Sequence, residues 1–315
     1  MILKRNFSPL KVWEYIRWPL LWALLWAVCA WALFHFIGRR DFALNFTPIG
    51  MLGSALAIFV AFRNNSAYGR WWEARTLWGG IVNASRVLAR LIITFTDSHA
   101  HQPNYDSTRS AAFKRDLVYL CIAYSHALRL HLRRQNDWAE LRALLSGDDF
   151  QALLAAHNKP NFLQLLIGRK IYEAMANGTL GGFDSFQMEG QLVALANAQG
   201  GCERIKNTPL LRQYDYFTRM FIGLFSALLP FGLLSFFQSG PLLVYSWLAI
   251  PLAVIVAGVF VIMERTGAAN EDPFENRVTD VPLAALCNTI ERDLREMLGE
   301  TNLPQKLEAV DGYLF

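Results

Sequence analysis

The chain has 315 residues, 53 % of them hydrophobic, with 10 Trp, 22 Phe and a formal net charge of +4. That charge is too small to argue for nucleic-acid binding. The apolar residues are gathered into stretches long enough to cross a bilayer, which takes about 20 residues per helix, and this excludes an evenly patterned soluble domain. The four cysteines, Cys29, Cys121, Cys202 and Cys287, are far apart with no C-x-x-C pair, which excludes a disulfide framework or zinc cluster and predicts packed, reduced thiols.

Residues 1–17 carry Lys4, Arg5, Lys11 and Arg17 against Glu14. Val12-Trp13-Glu14-Tyr15-Ile16-Arg17 mixes aromatics with charge, as an interfacial helix does. No long apolar region follows the basic start at once, so no cleaved signal peptide is expected. Trp18 to Gly38 is almost wholly apolar and predicts the first membrane helix, with Pro19 in its first turn, where proline is tolerated, and His35 near its end at the interface. Arg39, Arg40 and Asp41 form a short loop. The second membrane helix spans 46–63 and is rich in Gly50, Gly53, Ser54, Ala55, Ala57 and Ala61. Small residues let helix backbones approach closely inside a membrane. The run ends abruptly in Arg63, Asn64, Asn65, Arg70, Trp71 and Trp72, residues suited to a membrane–water boundary. Ser54, Ile58 and Phe62 recur every four residues and share one face. By periodicity alone that face either lines a narrow pore or packs on a neighbouring helix, and packing is the commoner use.

From Arg63 to Arg212 no segment is apolar enough to span, and the periodicity is helical. Residues 73–96 and 108–134 are two helices, separated by a loop at 98–108 that contains His99-x-His101, a solvated pair rather than a metal site. Asp137 and then Asp148 or Asp149 are expected to cap the next two helices. Pro160 opens another, which ends at Asn177-Gly178, and Asp184 caps one running to about Ala198. Tyr216 to Phe237 is the third span, with Pro230 inside, and Leu242 to Met263 the fourth, across a turn at Gln238-Ser239-Gly240-Pro241. Asp280 and Pro282 begin a last helix, whose Glu291, Arg292, Asp293 and Arg295 form a solvated face. The expected divisions are 1–63 (interfacial segment and two spans), 64–212 (helical region), 213–265 (two spans) and 266–315 (C-terminal helical segment). Lysine and arginine are concentrated on the N-terminal segment and the 63–212 region, so the positive-inside rule puts both termini and the helical region in the cytoplasm.

No nucleophile elbow, Walker loop, dinucleotide loop or zinc triad appears, and neither an enzyme activity nor a cofactor is expected. The spans carry almost no internal charge, which speaks against a solute-coupled carrier. A channel and a membrane-anchored helical scaffold or sensor without conduction remain.

Three blocks decide between them. Phe62-Arg63-Asn64-Asn65-x-x-Tyr68-x-Arg70-Trp71-Trp72-Glu73-Ala74-Arg75-x-Leu77-Trp78-Gly79 resembles the signature after the second membrane helix of bestrophins. Gly201-Cys202-Glu203-Arg204-Ile205-x-Asn207-Thr208-Pro209 resembles a second bestrophin block, and Asp272-Pro273-Phe274 with Asp280-x-Pro282-Leu283 a third. They fall in family order, and the chain resembles a bacterial bestrophin homologue. The resemblance implies an all-α membrane protein with four transmembrane helices and a large cytosolic helical region, assembled as a homopentamer around one pore in the bacterial inner membrane. Its partners would be membrane lipid and small monovalent ions, anion or cation, with no nucleic acid. Matched by motif, the apolar pore neck falls on Ser54, Ile58 and Phe62, with Ser54 in place of the usual apolar residue. A second constriction at the cytosolic exit falls on Phe186, or on Phe183 if the register slips. Animal bestrophins bind calcium through an acidic run after the fourth span. Here only Glu271, Asp272 and Glu275 stand in that place, too few for the roughly 6–8 oxygens calcium takes.

Overall fold

The computed structural model describes every residue except 5–8, 38–39, 104 and 239. Arg5 of the basic start, Gly38 at the end of the expected first span, Arg39 of the first loop and Ser239 of the turn lie outside the described residues, as do the side chains of Lys11, Val12, Arg40 and His99. The described chain is helical throughout: α1 (Pro9–Phe36), α2 (Phe46–Thr96), α3 (Ser107–Arg133), α4 (Gly147–Ala155), α5 (Lys159–Ala176), α6 (Gly182–Asn207), α7 (Arg212–Leu234), α8 (Ala249–Glu271) and α9 (Leu283–Met297). Its only β-pairing among the described residues is two isolated bridges, Ile2 and Val310 each with Tyr313.

The chain groups into two units: residues 4–70 with 209–271, and residues 1–3, 71–208 and 272–315. The first holds α1, α7, α8 and the N-terminal half of α2. Four helical stretches, Trp13–Phe36, Phe46–Thr96, Arg212–Phe237 and Pro241–Glu271, are long and apolar enough to cross a membrane. Here α1 packs on α8 and α7, and α7 on α8. Small residues bring the axes close: Ala27, Ala30, Ala253 and Ala257 are buried. A Cβ added to Gly53 would stand 2.8 Å from the Phe225 ring, and one on Gly232 2.7 Å from Ile49.

The first span begins earlier than its hydropathy. The aromatic-and-charged segment and the apolar run are one helix, so Pro19 lies in its interior and not in its first turn. Proline at that position denies Tyr15 O its intrahelical donor. Arg265 Nη1 of α8 supplies one instead, at 2.6 Å, while Tyr15 Oη donates back to Arg265 O at 2.9 Å. The fourth span likewise opens as a 3₁₀ segment, Gly240–Leu248, before α8 begins.

In the second unit α3 packs on α5, α6 and α9. Trp78, Ile81, Leu88 and Ile92 of α2 are fully buried in the same core as Leu117, Ile122 and Leu128 of α3, Ile167 of α5, Leu195 of α6 and Ile290 of α9. A chain of hydrogen bonds crosses it. Gln164 Nε2 donates to Tyr124 Oη (3.2 Å) and Gln199 Oε1 (2.8 Å), and Gln199 and Asn158 both donate to Glu203 Oε1, at 2.9 and 3.0 Å.

Several boundaries differ from expectation. Instead of ending at residue 63, the helix of the second span continues without a break as the 51-residue α2, because nothing in Arg63–Trp72 is proline and Arg63, Asn64, Arg70 and Trp71 find partners off the helix. Asp137 makes no capping bond, and the segment after it is 3₁₀. Ser146, not Asp148 or Asp149, caps α4, accepting from Asp149 N at 3.2 Å. Asp184 is inside the first turn of α6, where its carboxylate accepts from Gly181 N at 3.1 Å. That helix runs to Asn207 through Gly200-Gly201 rather than stopping near Ala198. A Cβ on Gly201 would meet Leu77 at 2.8 Å, so close packing, not helix termination, explains the glycine there. Pro160 lies in the first turn of α5 and Gly178 ends it at φ 81°, as the sequence predicts, while the cap is Asn158, which accepts from Asn161 N.

Candidate functional site

Along α2 the buried positions Ile49, Gly53, Leu56, Val60, Arg63 and Ala67 form one face, the three-and-four spacing of a helix packed on one side. Ser54, Ile58 and Phe62 lie on the other. Ile58 is 60 % and Phe62 68 % exposed. The Ser54 hydroxyl donates to Gly50 O at 3.1 Å, so its polarity is turned back onto its own helix. The stripe is therefore not a packing face within its own chain.

Behind it sits a buried ionic cluster. The Arg63 side chain is completely buried, with Nη2 2.7 Å from Asp215 Oδ1 of α7 and 3.6 Å from Glu271 Oε2 of α8. Its Nη1 donates to Glu264 O at 3.2 Å. Asn64 Nδ2 donates to Met263 O at 2.8 Å, and Arg70 Nε to Glu271 O at 2.7 Å. Asp215 also pairs with Arg219, one turn along α7. Of the signature residues, then, Arg63, Asn64 and Arg70 hold α2 to its neighbours. Trp71 Nε1 donates to Thr279 O at 3.0 Å, while Asn65 and Trp72 are exposed. From its sequence neighbours alone Arg63 is a membrane–water boundary residue; its partners lie 152 and more residues along the chain. The available signal was Asp215, a lone acid four residues before Arg219 at the start of an apolar run.

Phe186 and Phe183 are 75 % and 80 % exposed on the N-terminal part of α6, so neither belongs to the core of the unit. Gly181 has ordinary extended geometry (φ −78°, ψ 156°), and the turn before α6 needs no left-handed glycine. Of the acids after the fourth span, Glu271 faces Arg63, and Glu275 Oε1 accepts from Lys206 Nζ at 2.5 Å. Two of the three calcium candidates already have a cationic partner. No cluster of three or more metal-ligating side chains occurs among the described residues.

The charged residues of α9 are not a solvated face. Glu291 is half-buried and accepts from His126 Nε2 at 3.2 Å and Arg295 Nη1 at 3.1 Å. Asp293 pairs with Arg86 at 2.5 Å. The hydrogen bond from His126, then Arg295, holds the Glu291 carboxyl below its usual range despite burial. Burial pushes the thiols of Cys121, Cys202 and Cys287 up to about 12, and all are free and packed.

These features define a helical membrane protein of four apolar helices, of which the one built from small residues exposes the Ser54–Ile58–Phe62 stripe. Residues 7–296 match the family model described as Bacterial/Fungal Bestrophin protein, and the chain belongs to that family. It is 33 % identical over 267 residues to a "voltage-dependent anion channel-forming protein" of Ralstonia nicotianae, covering 84 % of this chain and 81 % of that one. To the protein of the same description in Escherichia coli it is 32 % identical over 260 residues, 82 % and 79 % of the two chains. A crystal structure of a bacterial bestrophin homolog from Klebsiella pneumoniae superposes with a TM-score of 0.79 at 30 % identity, covering 90 % of this chain and 99 % of that one.

Proposed function

We propose that the protein is a homopentameric ion channel of the bacterial inner membrane, with both termini cytoplasmic, and that it passes small monovalent anions. The observation that carries this is the Ser54–Ile58–Phe62 stripe, exposed on a membrane helix whose opposite face is fully packed. Copies arranged around an axis would close that stripe into a narrow apolar neck, and Phe186 would make a second apolar ring at the cytosolic exit. Neither ring carries charge, so both act through width and dewetting rather than ion coordination. The names of the Ralstonia and E. coli relatives, anion channel-forming proteins, support anions. The cationic partners of Glu271 and Glu275 support conduction without calcium.

Moving an ion fully out of water costs on the order of 20 kcal/mol in the idealised limit, so a dry Ile58–Phe62 ring is closed and the neck must widen or stay wet to conduct. The test is purified protein in planar bilayers under a salt gradient. A reversal potential on the anion side, with Ile58→Ala and Phe62→Ala both raising the current, is expected. A cation-side potential overturns the anion assignment. Unchanged conductance and open probability in both variants overturn the neck.

A further inference from the structure

The neck and the ionic cluster behind it are joined by consecutive residues. Phe62 is exposed, and Arg63 is buried with its side chain fully covered. Successive residues on a helix are about 100° apart, so a small rotation of α2 that moves Phe62 also moves the Arg63 guanidinium against its carboxylates. Those carboxylates sit on two different helices at unequal distances, 2.7 Å for Asp215 on α7 and 3.6 Å for Glu271 on α8. One contact is a made hydrogen bond, and the other is just beyond hydrogen-bond length.

The cluster is also incompletely satisfied. Arg63 Nε and Asn64 Oδ1 are buried with no hydrogen-bond partner among the described residues. Leaving a buried polar group unpaired costs free energy. Asn64 is pressed against Gly267 of α8, where an added Cβ would overlap Oδ1. Its Nδ2 is meanwhile held by Met263 O, so α8 cannot slide past α2 without moving Asn64.

Resting on the pore assignment of Phe62 above, we propose that Arg63 is the positioning residue of that constriction. Exchange of its guanidinium between Asp215 on α7 and Glu271 on α8 couples the packing of those helices to the rotation of the neck helix. No bond is made or broken beyond hydrogen bonds, and no proton need move.

The experiment records single-channel open probability, unitary current and melting temperature for Asp215→Asn and Glu271→Gln. Both keep Arg63 and so avoid an uncompensated buried carboxylate pair. Each is made in the native chain and in Phe62→Ala. Removing one of the two positions should shift open probability by about fivefold or more, the lower range of energetic coupling between sites. The two variants should shift it in opposite directions, with unitary current unchanged, and both shifts should vanish in Phe62→Ala. Arg63→Lys, which keeps the charge without the two-pronged guanidinium, should retain part of the response that Arg63→Gln loses. Lower melting temperature with native open probability overturns the proposal, as do shifts that persist without Phe62. If Phe62→Ala alone leaves conductance and open probability untouched, the pore assignment falls and the proposal with it. If one carboxylate variant fails to fold, the other still decides.

Discussion

The two units bury polar groups in opposite ways. In the unit of α3, α5, α6 and α9, large side chains such as Trp78, Tyr124 and Leu128 fill the core, and its polar groups run as an extended chain from Tyr124 through Gln164 and Gln199 to Glu203. In the unit of the spans, Ala27, Ala30, Ala249 and Ala253 share the interior with Phe34, Phe225, Phe260 and several leucines, and the buried charges are gathered in one cluster around Arg63. A core that excludes water gains by filling its volume with large side chains. Helices in lipid have no water to exclude and associate through van der Waals packing, which small residues allow at close backbone approach. Helix α2 passes through both regimes: Gly53 and Ala57 lie in its first half, Trp78, Ile81 and Leu88 in its second.

The contrast between the two units is sharpest at Trp78. Its side chain is fully buried, and truncation to alanine should cost about 3–5 kcal/mol. The expected result is a markedly lower melting temperature with unitary current unchanged in the protein that remains folded. A changed unitary current would mean that this core sets pore dimensions.

A smaller effect is expected at Glu291, where α3 meets α9. Loss of its bonds to His126 and Arg295 in Glu291→Gln should cost about 1–3 kcal/mol at neutral pH. The sign of the pH dependence follows from a carboxyl held below its ordinary value of 4.5. The unfolded chain binds the proton more readily, so this stability is present above about pH 4.5 and is lost as pH falls through the folded value. Thermal melts of native and variant protein should therefore converge at acid pH. A gap that stays constant from pH 7 down to pH 4 would contradict the assignment.

Phe186 should give the smallest change in stability. At 75 % exposure, its truncation should stay within about 0.5 kcal/mol while raising single-channel current. A destabilised protein with native conductance would sink the exit constriction.

Much of this organisation is legible in the sequence because lipid imposes a long, simple pattern. The four spans show as apolar runs, and α5 and α9 show through Pro160, Gly178 and Pro282. What escapes is whatever depends on a partner distant in the chain. The continuity of α2 past Arg63 rests on Asp215 and Glu264, 152 and 201 residues away. The interior position of Pro19 rests on Arg265, 250 residues from Tyr15. Ser146 outcompetes two neighbouring aspartates as a cap, a local choice that composition does not resolve. For the candidate site, the four-residue spacing of Ser54, Ile58 and Phe62 was visible, but its exposure was not, because periodicity is the same for a packed face and an open one.

On the proposed function, the open face of α2 borders the ion path and the packed face does not. Charged thiol reagents test it directly on Ile58→Cys and Val60→Cys, both in a Cys29→Ala background to remove the one exposed native thiol. Ile58 is 60 % exposed and Val60 is fully buried. Adding the reagent to the bath should suppress the current of Ile58→Cys and leave that of Val60→Cys unchanged. Equal sensitivity of the two, or a current through Ile58→Cys that the reagent does not touch, would contradict a pore along this stripe.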